Sequence, residues 1–136
     1  MALKVFRIPV SMALFIIPNL VEANEIAIDS CYENSGSYQV IDCFNKKIEK
    51  AKINLDEQRA LFVDKNNKFL DDKNKFNKKE ANIHKKWLLF LNEDCEMRSF
   101  HAGEKDSLIY QIIYSECVLD RYVERTDSLK TSIKLI

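Results

Sequence analysis

The segment Trp87-Leu88-Leu89-Phe90-Leu91-Asn92-Glu93-Asp94-Cys95 contains the only tryptophan of the chain and ends on a cysteine. Upstream of it, apolar residues continue at steps of four and seven, as expected for one side of an amphipathic helix. We therefore predict a helix over about residues 75–99. Its apolar side is expected to hold Phe76, Ile83, Trp87, Phe90 and Leu91. Its closing Cys95 is placed to be tied to another helix.

The composition predicts an all-α fold. The 136 residues suit one domain, and the chain has only two glycines and two prolines to interrupt helices. The formal net charge is zero, which argues against a nucleic-acid-binding domain, since such domains carry a basic excess.

Sequence patterns of catalysis are missing. The chain has no Gly-x-Ser-x-Gly elbow, no glycine-rich phosphate loop and no His-Glu-x-x-His pair. We therefore do not expect an enzyme, a cofactor or a metal. A lone helical histidine such as His84 is more often a hydrogen-bonded boundary residue than a ligand.

The N-terminus has the layout of a secretory signal peptide. Lys4 and Arg7 precede an apolar run over residues 8–20, and Val21-Glu22-Ala23 offers a cleavage site after Ala23. The run is short and broken by prolines, which disfavours an uncleaved membrane anchor. We therefore predict a signal peptide over 1–23 and a single domain over 24–136. The mature protein would be periplasmic or secreted, without stable membrane insertion.

Four cysteines lie beyond the signal peptide: Cys31, Cys43, Cys95 and Cys117. An even number in a small exported domain indicates two disulfides, and three pairings are possible. We expect Cys31–Cys43 and Cys95–Cys117, because both close short loops. A metal site is disfavoured, since there is no Cys-x-x-Cys and the two histidines stand at unrelated spacing.

Two further helices complete a bundle of about three. The first begins near Tyr38, after a turn whose Ser35 or Ser37 is a candidate N-cap, and its pattern allows an end anywhere between Asn66-Asn67 and Leu70. Phe44 belongs to its apolar stripe. Together with Trp87 and Phe90 it is our candidate structural core.

The third helix is expected to begin after an N-cap at Asp106 or Ser107 and to end near Leu129. The short tail over 131–136 is expected to be loosely held.

The cysteine and tryptophan framework resembles the LprI lysozyme inhibitor family of secreted helical proteins. That family has two cysteines about a dozen residues apart, then a helix with Ala and Leu four apart, then Trp, an aromatic residue and Cys, then a loop with Gly, and finally Cys, Arg and Leu. The matching positions are Cys31, Cys43, Ala51, Leu55, Trp87, Phe90, Cys95, Gly103, Cys117, Arg125 and Leu129. The resemblance covers about residues 31–129, and departures occur at polar positions such as His84 and Arg59.

The resemblance implies an exported protein that binds and blocks a lysozyme-like cell-wall hydrolase. The candidate target-binding loop lies between the second and third helices and contains Phe100, His101, Gly103, Glu104 and Lys105. His101 and Lys105 are donors for catalytic carboxylates, and Glu104 suits a basic rim. Two alternatives stay open: an immunity protein against a wall-degrading toxin, and an envelope protein-interaction module without a hydrolase target. Either way the expected partner is a protein.

Overall fold

A computed structural model describes residues 28–33 and 36–136, where the chain forms three long helices and no strand. They are α1 (Ser37–Asn67), α2 (Lys73–Ser99) and α3 (Leu108–Lys134), preceded by a 3-10 turn at Ile28–Cys31. The predicted all-α bundle is therefore confirmed. The predicted signal peptide lies outside the described residues. None of the described helices is long and apolar enough to cross a membrane.

Helix α3 contacts both other helices, and α1 more extensively than α2, whereas α1 and α2 contact each other little. On α1 the buried face holds Val40, Phe44, Ile48, Ala51 and Leu55. These residues pack against Val118, Leu119, Tyr122 and Leu129 of α3. Phe44 and Leu119 are completely buried, and burial of such side chains contributes about 1.5–3 kcal/mol each.

Side-chain caps begin two of the helices. Asp72 accepts a hydrogen bond from the backbone N–H of Lys75 at 2.9 Å, and Ser107 accepts one from Tyr110 at 3.2 Å. Of the two candidate caps for α3, Ser107 is the one used. The prediction for α1 was wrong: Gly36 is the N-cap residue and supplies no side-chain bond, while Ser37 is already helical. Ser35 lies outside the described residues.

The orientation of α2 differs from the predicted one. Its buried residues are Leu91, Cys95 and Ser99, and Trp87 packs partly buried against Tyr122 with ring centroids 5.3 Å apart. Phe90 is 58% exposed, and Ile83 is exposed too, so the prediction that Phe90 is a core residue was wrong. The reason is rotational: Leu91 and Cys95 point at α3, and Phe90 lies about 100° around the helix from Leu91.

Two disulfides connect the elements in the expected pairing. Cys31–Cys43 fastens the 3-10 turn to the start of α1, and Cys95–Cys117 joins α2 to the middle of α3. They close loops of 12 and 22 residues, for which loop-closure entropy gives roughly 3 kcal/mol of stabilisation each.

The C-terminal segment is more ordered than predicted, because α3 continues to Lys134. Ile133 is buried four residues beyond the buried Leu129, so the apolar stripe continues past the predicted end. The Lys65 Nζ of α1 also donates a hydrogen bond to the Ile133 carbonyl at 3.3 Å.

Candidate binding surface at the α2–α3 junction

The connection from α2 to α3 is a compact, internally bonded turn. Phe100–Ala102 forms a 3-10 turn that continues α2, and Gly103 then takes φ 97° and ψ −149°. This backbone conformation is accessible almost only to glycine. The Ser107 hydroxyl donates a hydrogen bond to the Ala102 carbonyl at 3.2 Å, which closes the turn. The loop is thereby held in one shape rather than merely joining two helices.

A groove of about 600 Å³ opens at this junction. We call its lining the tip surface; it consists of Glu93, Glu96, Met97, Phe100, Gly103, Glu104, Lys105 and Tyr110. Met97 and Phe100 are 72% and 74% exposed, respectively. Two large apolar side chains held out in solvent side by side are a recognised feature of protein-binding surfaces.

Acidic groups surround these apolar side chains. Lys105 Nζ lies 2.9 Å from Glu96 Oε1. The hydrogen bond to Glu96 raises the pKa of Lys105 above its usual value, because it stabilises the charged ammonium form. Among the described residues, Glu93 and Glu104 take part in no ion pair. The tip surface therefore carries three carboxylates and one ammonium group.

Four of the five predicted loop residues meet on this one surface: Phe100, Gly103, Glu104 and Lys105. His101 is exposed next to them, with its ring 6.2 Å from that of Phe100, but does not line the groove. Four residues of the tip surface were not predicted from the sequence: Glu93, Glu96, Met97 and Tyr110. The first three lie in the last two turns of α2, on the side away from Leu91 and Cys95, so helix periodicity could have indicated them.

The described residues include one group of metal-ligand types, Asp94, Cys95 and Cys117. Both sulfurs are joined in a disulfide. Metals bind thiolates, so this group offers only a single carboxylate ligand while the bond is intact. Asp94 is instead bonded to Arg121 on α3 at 2.9 Å, a contact that holds α2 against α3.

Comparison with known proteins gives the family of this chain but no individual relative. Neither the curated proteins nor the solved structures gave a match to this chain. The family model described as lysozyme inhibitor LprI matches residues 30–129, a span that includes α1, α2, most of α3, both disulfides and the tip surface. Because this match covers most of the chain, the protein belongs to the LprI lysozyme inhibitor family.

Proposed function

We propose that this protein is an exported inhibitor that binds a lysozyme-like cell-wall hydrolase through the tip surface and carries out no reaction of its own. Membership of an inhibitor family supports the first part. The observation that carries binding through the tip surface is the exposure of Met97 and Phe100 together in a groove that three glutamates also line.

The chemistry of the tip surface suits such a partner. Aromatic side chains and methionine are enriched at protein interfaces, and a few such residues carry most of the binding energy. Glu93 and Glu104 form no ion pair with any residue that the structure describes, and they would face basic residues around a hydrolase cleft. Complementary charge of this kind mainly raises the association rate and makes it sensitive to salt.

The scaffold behind the surface limits the entropic cost of binding. Cys95 is joined to α3 five residues before Phe100, and Gly103 and Ser107 hold the turn. A loop that is already ordered loses little conformational freedom in the complex. Lys105 is available as a donor because its pair with Glu96 is exposed, and such pairs contribute only about 0–1 kcal/mol.

The proposed location is the periplasm or the outside of the cell. Support comes from two disulfides, which persist in oxidising compartments, and from the signal-peptide pattern of residues 1–23. Cleavage after Ala23 would release a protein without stable membrane insertion.

The test is a turbidity assay in which the oxidised protein is titrated into c-type, g-type and i-type lysozymes acting on cell walls. We expect stoichiometric inhibition of one class, and at least tenfold weaker inhibition by Phe100→Ala. Phe69→Ala is the matched control, since Phe69 is also 74% exposed but lies in the α1–α2 connection. Equal effects of the two variants would remove the tip surface from the proposal.

The donor role within the loop has a separate test. A double variant, His101→Ala with Lys105→Ala, removes both candidate donors while leaving Phe100 in place. We expect weaker inhibition, because charge-assisted hydrogen bonds to the hydrolase carboxylates are lost. Unchanged inhibition would leave the apolar and acidic residues as the binding elements and reject His101 and Lys105.

A second candidate function is an interaction module or immunity protein of the envelope. The observation that favours it is that Leu89 and Phe90 are also exposed on α2, which extends the apolar area beyond the tip surface. This function predicts no inhibition of any lysozyme class by a protein shown to be folded. It also predicts a single envelope protein or toxin captured by wild type and lost with Phe90→Lys.

A further inference from the structure

A second concave site lies at the other end of the bundle, where all three helices meet. This cleft of about 420 Å³ has mainly apolar walls, formed by Phe62, Phe76, Ile83 and Leu129. The rings of Phe62 and Phe76 are tilted against each other, with centroids 6.0 Å apart. Its volume falls in the range of small-molecule sites, which are typically apolar with a few polar groups that orient the ligand.

Arg125 is the polar group that makes this cleft unusual. This α3 residue lines the cleft, and its Nε atom is buried without a hydrogen-bond partner among the described residues. Among the described residues no carboxylate forms an ion pair with Arg125. The sequence framework of the family includes this arginine, yet neither the packing of the bundle nor the tip surface uses its charge.

The one carboxylate that lines the cleft is already engaged. Glu80 accepts two hydrogen bonds from Arg59 of α1, with Nε–Oε1 at 2.8 Å and a terminal guanidinium nitrogen–Oε2 at 3.0 Å. Both oxygens of Glu80 thereby accept hydrogen bonds from Arg59, and among the described residues Glu80 forms no ion pair with Arg125, whose Nε is buried without a partner. Lys79 also lines the cleft and adds a second positive charge.

A guanidinium is charged at every pH at which a protein is folded, and its planar fork matches a carboxylate. Burying part of it without a partner is unfavourable, so an anion that enters the cleft gains a bidentate, charge-assisted contact. The same anion would place any hydrocarbon it carries against Phe62, Phe76 and Leu129.

We propose that this cleft binds a small carboxylate with an apolar body, of the medium-chain fatty-acid type, with its carboxylate on Arg125. The site is separate from the tip surface. Ile83 and Met97 belong to the two sites on the same helix, 14 residues apart, which corresponds to roughly 21 Å along α2. The proposal therefore does not depend on lysozyme inhibition.

The test uses decanoate as the probe and isothermal titration calorimetry as the measurement, below the concentration at which micelles form. We expect one decanoate per protein, bound at least tenfold more tightly than decanol, which has the same chain without the charge. Decyltrimethylammonium is expected not to bind. Absence of decanoate binding, or equal affinity for decanol, would overturn the proposal, and tighter binding of decyl phosphate would overturn the choice of a carboxylate.

One variant and its matched control test the role of Arg125, and a third variant tests the cleft itself. Arg125→Met keeps much of the side-chain length and is expected to weaken decanoate binding at least tenfold. The melting temperature of this variant should be unchanged or higher, because the variant removes a partly buried cation whose Nε lacks a partner. If Arg125 instead had a structural role, the variant would be less stable than wild type. Arg98→Met is the matched control, an exposed arginine of α2 outside the cleft, and is expected to bind decanoate like wild type.

The third variant, Ser132→Phe, fills the cleft while leaving Arg125 in place. Ser132 lies on the lining near the end of α3, and the variant is expected to lose decanoate binding. This test stands even if Arg125→Met fails to fold. Unchanged binding in either folded variant would show that decanoate lies elsewhere and would reject the site.

Discussion

The two glycines of this chain provide a matched pair for testing the shape of the α2–α3 turn. Gly103 has φ 97° and ψ −149°, a region in which side chains other than hydrogen are strongly disfavoured. Gly36 has φ −146° and ψ 147°, an extended conformation open to every residue. The perturbation is alanine at each position in turn.

The expected magnitudes follow from what an added Cβ would meet. At Gly103 the nearest surrounding atom is Ser107 Oγ at 3.9 Å, so there is no clash and the whole cost is conformational. Such strain costs about 1–3 kcal/mol, offset by about 0.4–1 kcal/mol because alanine reduces the freedom of the unfolded chain. The net loss is about 1–2 kcal/mol, or roughly 4–8 °C in melting temperature for a domain of this size.

At Gly36 the added Cβ would clash with Gln39 Oε1, the far end of a flexible side chain that can rotate away. Alanine is a poorer N-cap than glycine by roughly 0.5–1 kcal/mol, and the entropic gain of about 0.4–1 kcal/mol in the unfolded chain offsets this. We expect a net change within about 0.5 kcal/mol.

The assay is urea unfolding followed by circular dichroism at 222 nm, with the disulfides oxidised in all three proteins. A loss confined to Gly103→Ala supports the turn as described. If both variants had the same free energy of unfolding, or if Gly36→Ala lost more than Gly103→Ala, the expected cost at Gly103 would be refuted. Residue 103 would then not be held at a positive φ that disfavours alanine.

Three further predictions concern the core, the histidine and the polar contact between α1 and α2. Phe44→Ala is expected to lower the free energy of unfolding by about 3–5 kcal/mol, and Phe90→Ala by less than about 1.5 kcal/mol, because Phe44 is fully buried and Phe90 is not. Desolvation, and after it the positive charge of Arg59, lowers the pKa of His84 in the folded protein. The unfolded chain therefore binds the proton more readily, and the free energy of unfolding is expected to fall as the pH drops below about 6.5, the ordinary pKa of histidine. Glu80→Gln is expected to cost about 1–2 kcal/mol, since its pair with Arg59 is largely shielded from solvent, with the two side chains 14% and 19% exposed.

Each of these has its own control and its own contradicting result. Similar losses for the two phenylalanine variants would contradict the rotation of α2. His84→Gln should flatten the decline of stability between pH 7 and pH 5, and an unchanged slope would reject the assignment to His84. Asp42→Asn disrupts the exposed pair with Lys46 and is expected to cost at most about 0.5 kcal/mol; a cost equal to that of Glu80→Gln would contradict the role of burial.

Much of the bundle could be predicted because α1 and α3 bury one face along most of their length. Phe44, Ile48, Ala51 and Leu55 repeat at steps of three and four, and all of them are buried. The periodicity of the backbone alone brings such residues to one side. The disulfide pairing was also accessible, because pairing each cysteine with its neighbour in sequence closes the shortest loops.

The orientation of α2 could not be obtained from its own periodicity. Its apolar residues surround much of the helix, and Phe90 fits a stripe with Trp87 as well as Leu91 does. Attachment of Cys95 to Cys117 selects the face that contains Leu91. Counting back from Cys95 in steps of four, to Leu91 and Trp87, would have given the observed face and left Phe90 in solvent.

The sequence by itself determined which segments are helices, that a four-cysteine framework holds them, and that the α2–α3 loop is a candidate site. Only the tertiary structure decided which residue of α3 joins that loop, since Tyr110 lines the same groove as Met97 and Phe100. It also decided which hydrogen-bond partners three charged residues far apart in sequence have. Arg59 donates to both oxygens of Glu80, and the Nε of Arg125 is buried at an apolar cleft with no hydrogen-bond partner in the described part of the chain. Helix periodicity is a property of the local backbone, whereas the partner of a charge depends on how three separate helices pack.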